Sequence, residues 1–280
     1  MYNTVMDECK TKYPVILVHG LGYSDKTLDR YSILNTGYWG DIPLILRRKG
    51  AEVFFGCQDA NGEIRHNAQQ LMDTVNIVCK QQDVEKVNLI AHSKGGIEAR
   101  YMITHLDSGE HVASLTTIAT PHRGIVTSDK IGRRSKLLQK LFYQQIRTLI
   151  SAGGGEMIED FSVYEQLTAD YMEVFNELVP DVDGVYYQSY ACDMKRMSKD
   201  VPLSLFYRIV KSSEGPNDGI VSVESAKWGE FKGVYLGESG KGISHSIATG
   251  GRPVSAKIHR AGNIADFYVR IVTDLKERGL

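Results

Sequence analysis

The segment Val87-Asn88-Leu89-Ile90-Ala91-His92-Ser93-Lys94-Gly95-Gly96 carries the strongest chemical signal in the sequence. An apolar run leads into small-x-Ser-x-Gly, and a helical pattern follows at once. Such a context sets a serine on a tight strand-to-helix turn, in a strained backbone conformation that exposes the hydroxyl. The positions two before and two after the serine crowd one space and must be small. Ala91 and Gly95 meet that need. Glycine is commoner at the first of these positions, and the one extra methyl of alanine fits. Ser93 is therefore a candidate nucleophile for acyl transfer from an ester. Lys94 opens the following helix, so its N–H has no partner inside the helix and can receive a developing negative oxygen. The plain alternative is a serine N-cap. The choice between the two depends on whether the chain also supplies a base, an acid and a second donor.

Val15-Ile16-Leu17-Val18-His19-Gly20-Leu21-Gly22-Tyr23 is a buried strand running into a glycine-rich turn. Glycines on both sides of Leu21 let its N–H point into a site, as the second donor of an oxyanion hole. One such donor is worth roughly 3 kcal/mol of transition-state stabilisation. A phosphate-binding loop is the competing reading, but neither GxGxxG nor GxxxxGK[ST] is present.

A serine nucleophile needs a base, and the base needs an orienting carboxylate. With this kind of turn the chain order is serine, acid, histidine. Of eight histidines, that order leaves His105, His111, His122, His245 and His259. His105 and His111 lie on or just after the helix that follows Ser93, and His122 comes too early to leave room for an acid. His245, in Gly242-Ile243-Ser244-His245-Ser246, has small flexible neighbours suited to reaching over a sheet edge. His259, ahead of the last helix, is the other candidate. Asp218 in Gly215-Pro216-Asn217-Asp218-Gly219 sits in a turn-rich loop beside an apolar stretch and is the preferred acid, with Asp193 and Asp183 in reserve. Read without the others, Asp218 is an Asx-turn residue.

The elements that must position these groups follow from periodicity. Short apolar runs at 15–18, 53–55, 87–91, 115–119 and 185–190 predict buried parallel strands, and 234–236 a further one. Helical patterns at 66–81, 95–106 and 265–277 alternate with them, which implies βαβ units and a mostly parallel sheet covered by helices on both faces. From Gly124 to about Asp170 the alternation breaks. Leu137, Leu138, Leu141, Phe142, Ile146, Leu149 and Ile150 recur at helical spacing, basic residues from Lys130 to Lys140 surround its start, and Gly153–Gly155 offer a hinge. The expectation is one domain over 1–280 with a helical insertion at about 124–170. That insertion is either a mobile lid over an acyl cleft or a cap fixed on the core.

Composition narrows the function classes. Hydrophobic residues are 42% and charged residues 24%, as in ordinary globular domains. Thirty-three basic against 34 acidic residues give a net charge of −1, so no global basic field attracts nucleic acid. The first twenty residues lack a basic start, an apolar core and a small-residue cleavage site, and the expectation is a cytoplasmic protein or a secreted one in mature form. Cys9, Cys57, Cys79 and Cys192 show no metal-ligand spacing and read as free thiols. Neither a metal nor an organic cofactor is expected.

Taken together, PVILVHGLGY, AHSKGGIEARY, LTTIATPHRG, PNDGIVSVESAKWG and GISHS resemble the bacterial triacylglycerol lipases of the Pseudomonas and Burkholderia type and the related lipase-like proteins of Firmicutes. The likeness covers most of the chain. It implies an α/β-hydrolase fold with a helical lid, Ser93 as nucleophile, Asp218 as acid, His245 as base, and backbone donors from Leu21 and Lys94. It implies an ester or lipid substrate and transient contact with a lipid surface. Many of those lipases hold a calcium ion near the base, with an aspartate two residues after it. This sequence has Ile247 there, and the disulfide and signal peptide of the Pseudomonas group have no evident counterpart. A short-chain esterase, an acyltransferase using the same acyl-enzyme and a non-catalytic binding module are the competing functions. Oligomeric state has no signature in the sequence.

Overall fold

Alternation along each strand divides the core into two layers. In β1 (Val15–Val18), Val15 and Leu17 face one side while Ile16 and Val18 face the other. The first pair packs under α1 (Ile42–Arg48) and the C-terminal helix, the second under α2 (Ile64–Gln82) and α3 (Lys94–His105). A strand buried on both faces must be apolar at every position, hence VILV rather than an alternating pattern. The computed structural model describes residues 7–23, 38–125, 162–197, 200–201, 203–250 and 264–280.

Among the described residues the sheet has six strands, all parallel, in the order β2 (Val53–Phe55), β1, β3 (Val87–His92), β4 (Val112–Ile118), β5 (Tyr186–Cys192) and β6 (Glu230–Tyr235). The chain leaves β1 toward one edge and returns to β3 on its other side. The switch point thus falls between β1 and β3, and the crevice outside their carboxyl ends is where such sheets bind ligands. Both the Gly20–Gly22 turn and Ser93 lie at that place.

The sequence pattern locates most elements closely. α2 buries Leu71, Val75, Val78 and Cys79 along the expected face. The last helix, Ile264–Glu277, buries Phe267, Val269, Ile271, Val272 and Leu275. Two strands differ most from expectation at their starts. β4 starts at Val112 and stops at Ile118, because Ala119 takes φ 51° and leaves the strand. β6 starts at Glu230, four residues early, since an edge strand that is largely exposed has no apolar run to announce it. Of the helical insertion expected at about 124–170, residues 126–161 lie outside the described residues, and the apolar stripe and the glycine triplet lie with them. The chain is described again from 162: α4 (Ser162–Glu165) leads to α5 (Ala169–Leu178), capped by the Thr168 hydroxyl. α6 (Ser204–Glu214) follows β5, and the C-terminal helix is α7.

Candidate active site

β3 delivers Ser93 onto a turn with φ 54° and ψ −131°, a region that a residue with a side chain occupies only under strain. Its N–H donates to Ile118 O at 3.0 Å, which ties the turn to β4. The small neighbours have identifiable reasons. A methyl added at Gly95 would stand 2.3 Å from His19 O, and one at Gly20 would stand 2.9 Å from Ser93 Cβ. The Ser93 turn and the glycine turn after β1 are packed backbone against backbone.

Those contacts also fix the turn around Leu21. Gly20 N–H donates to Tyr38 Oη (2.9 Å), and Gly22 N–H to Ala60 O (2.7 Å). The N–H of Leu21 lies between two committed neighbours, and that of Lys94 opens α3. Tyr38 in turn donates to Nδ1 of His92, whose ring packs on that of His245 at a centroid distance of 4.5 Å. Burial, reinforced by His245, holds His92 well below the usual histidine range, so its ring is neutral.

Beneath the turn lies a buried ionic knot. The Lys94 ammonium, 1% exposed, pairs with Glu98, 2% exposed, one turn along α3 and donates to Gly62 O. Glu98 also accepts from Gln58 Nε2 (2.7 Å) and Asn67 Nδ2 (2.8 Å). Charges that deep persist only when paired and hydrogen-bonded. The knot fastens α3 and α2 to the 58–62 segment that supports Gly22 through Ala60.

The structure brings Ser93, His245 and Asp218 into one line. His245 Nδ1–H donates to Asp218 Oδ2 at 2.7 Å, which leaves Nε2 to accept from the Ser93 hydroxyl at 2.9 Å. Asp218 is fully buried, and its other oxygen accepts from Ile220 N–H (2.9 Å) and Val221 N–H (2.8 Å). The same loop thus makes the Asx turn and serves the histidine. The His245 N–H returns to Asp218 O at 2.9 Å, so the two residues are also joined through backbone.

The other candidates lie elsewhere. Asp183 is exposed and precedes β5, at the amino ends of the strands, whereas Ser93 follows a carboxyl end. Asp193 caps a local turn through Lys195 N–H, while its carbonyl accepts from Ile243 N–H. His105 is exposed at the end of α3, and His111 bonds Glu85 O at the start of β4. His122 is buried against Thr117 and the ring of Trp228. His259 lies outside the described residues. Ile247 is buried, so an apolar side chain fills the position where related lipases carry a calcium-binding aspartate, and the residues here do not fit that ion. Tyr38, His92 and Asp200 belong to the site's surroundings and had no sequence signal, since each acts through a neighbour distant in the chain; Glu98 had a local one in its i,i+4 spacing from Lys94, but nothing in the sequence marks that pair as buried.

A mostly parallel sheet with a serine at its switch point, hydrogen-bonded to histidine and aspartate, defines an α/β-hydrolase of the lipase and esterase class. The palmitoyl protein thioesterase family model matches residues 14–155, and the chain belongs to that family. It is 29% identical to triacylglycerol lipase 2 of Saccharomyces cerevisiae, over 91% of this chain and 78% of the yeast protein. It is 26% identical to a triacylglycerol lipase of Pseudomonas fragi, over 98% of this chain and 99% of that one. Lipase 1 from Pelosinus fermentans shares the fold at a TM-score of 0.67 and 19% identity, covering 95% of this chain and 99% of the other. The fold, the family and these relatives mark the chain as a carboxylic ester hydrolase.

Proposed function

We propose that this enzyme hydrolyses carboxylic esters of lipid-like substrates through an acyl-enzyme on Ser93. The observation that carries the reading is the unbroken chain of hydrogen bonds from Ser93 through His245 to Asp218. His245 Nε2 takes the Ser93 proton as Oγ attacks the ester carbonyl. The oxyanion rests on the N–H groups of Leu21 and Lys94. His245 then gives its proton to the leaving alkoxide, and a water repeats the sequence to release the acid. Asp218 holds the tautomer and stabilises the imidazolium throughout. The neutral, buried His92 against the His245 ring adds no competing charge.

The names of the relatives support an acyl-lipid substrate, and the family description adds a palmitoyl thioester to the series worth testing. The expected result is turnover of p-nitrophenyl esters that rises with acyl length, and labelling by a fluorophosphonate that Ser93→Ala abolishes. Wild-type turnover in Ser93→Ala would overturn the assignment. A short-chain optimum would make the protein an esterase without lipase character. A jump in rate when substrate forms droplets would support transient contact with a lipid surface.

A further inference from the structure

The histidine loop is gripped from a second side, by a carboxylate that the reaction scheme does not use. Asp200 is 2% exposed and lies between β5 and α6. Its Oδ2 accepts from the hydroxyl of Ser244 at 2.9 Å and from that of Ser246 at 2.6 Å. The residue between those serines is His245, whose ring goes instead to Asp218 and Ser93. The two hydroxyls also stand 3.2 Å from each other, so the three groups form a closed triangle under the loop. Asp200 is itself fixed, since its carbonyl accepts from Leu203 N–H at 3.1 Å and from the Ser204 hydroxyl at 3.2 Å, which start α6.

This second grip has a physical use. The loop carrying His245 has no regular secondary structure, and Gly237, Gly240 and Gly242 before it all take positive φ. Such a segment has many accessible conformations. The Asp218 contacts hold the ring and one backbone N–H, but they leave the flanking backbone to find its own place. A buried carboxylate that takes both flanking hydroxyls fixes the chain on each side of the base. We infer that Asp200 is a positioning residue for His245, acting through the hydroxyls of Ser244 and Ser246 to hold the imidazole at the Ser93 oxygen. The inference rests on the triad reading given above.

The experiment is a mutant cycle on the full chain with p-nitrophenyl ester turnover, supported by proton NMR of the His245 Nδ1–H. Asp200→Ala is expected to lower kcat roughly tenfold to a hundredfold with KM little changed, the cost of a small misplacement of a catalytic group. Ser244→Ala/Ser246→Ala should lose about as much, and the triple variant no more than either, because all three changes remove one interaction. Asp200→Asn keeps an acceptor oxygen and should retain more activity than Asp200→Ala. The downfield Nδ1–H signal should broaden in Asp200→Ala and persist in Ser93→Ala. Full kcat in both Asp200→Ala and the double serine variant, or losses that simply multiply in the triple, would overturn the inference. If Asp200→Ala does not fold, the double serine variant decides by the same criteria. Should Ser93→Ala retain activity, the catalytic reading falls, and the NMR signal alone then judges whether Asp200 holds His245: a sharp signal in Asp200→Ala rejects it.

Discussion

Ser93 and His245 meet at 2.9 Å, yet their two sides of the site are built by different means. The serine side is a strand, a turn and a helix, contiguous in sequence and clamped by close backbone approach at Gly20 and Gly95. Its turn stores strain at one residue and rests on a buried ionic knot. The histidine side is assembled from three irregular stretches around Asp200, Asp218 and His245, whose neighbours Leu203, Val221, Ile243 and Ile247 are buried and whose polar groups are joined by side-chain and loop hydrogen bonds. Rigidity on the first side comes from regular structure and close backbone packing; on the second, buried carboxylates supply much of it. Changes on the serine side should therefore cost the fold, and changes on the histidine side should cost the rate.

The largest effect is expected where the histidine side loses the carboxylate of Asp218. In Asp218→Asn the amide oxygen can still accept from Ile220 and Val221, so the loop should keep its shape. The amide nitrogen then faces His245 Nδ1 and forces the wrong tautomer. Activity should fall roughly 10⁴-fold with little change in melting temperature. A fall in stability matching the fall in rate would erase the contrast between the two sides.

Next in size is Lys94→Met, on the serine side. It leaves Glu98 buried without its cation, and breaking such a pair costs about 3–5 kcal/mol. Urea unfolding should show the loss, and Lys94→Met/Glu98→Gln, which removes the buried charge yet keeps an acceptor oxygen for Gln58 or Asn67, should recover part of it. An unfolding midpoint equal to wild type would show that the knot is not what holds this side together.

The smallest effect is a pH signature of the strands around Ser93. Burial holds both His92 and His122 well below 6.5 in the folded protein, with His245 adding to the shift for the first and Arg100 and Arg123 for the second. Unfolded, each titrates near 6.5 and takes up a proton that the folded state refuses. Their contribution to stability is complete above about pH 6.5 and is lost as pH falls toward the folded values, with a slope approaching about 1.4 kcal/mol per pH unit for each. Stability measured from pH 7 to 5 should fall accordingly, and His122→Phe should flatten the curve by one histidine. An unchanged slope would break this part of the comparison.

The same division explains what could be read from residue order. Ser93, Ala91, Gly95 and the Gly20–Gly22 turn are legible because strand, turn and helix are local, and steric need dictates each residue type. The two-layer core is legible because a parallel strand covered on both faces must be apolar throughout, as VILV is. Asp218 and His245 could be preferred to their rivals from chain order and loop composition, but not placed together. That Asp218, and not Asp183 or Asp193, meets His245 depends on where the loop after α6 returns to the sheet. For Asp200 and Tyr38 nothing in the linear pattern stood out. Each is an ordinary polar residue whose part depends on a partner tens of positions away, such as Tyr38 and His92 or Asp200 and Ser244. Periodicity records which face of an element is dry, and a motif records local strain. A hydrogen bond between loops leaves no trace until long-range packing has set both ends, so Ser93 and its turn belong to the sequence and the alignment of His245 to the tertiary fold.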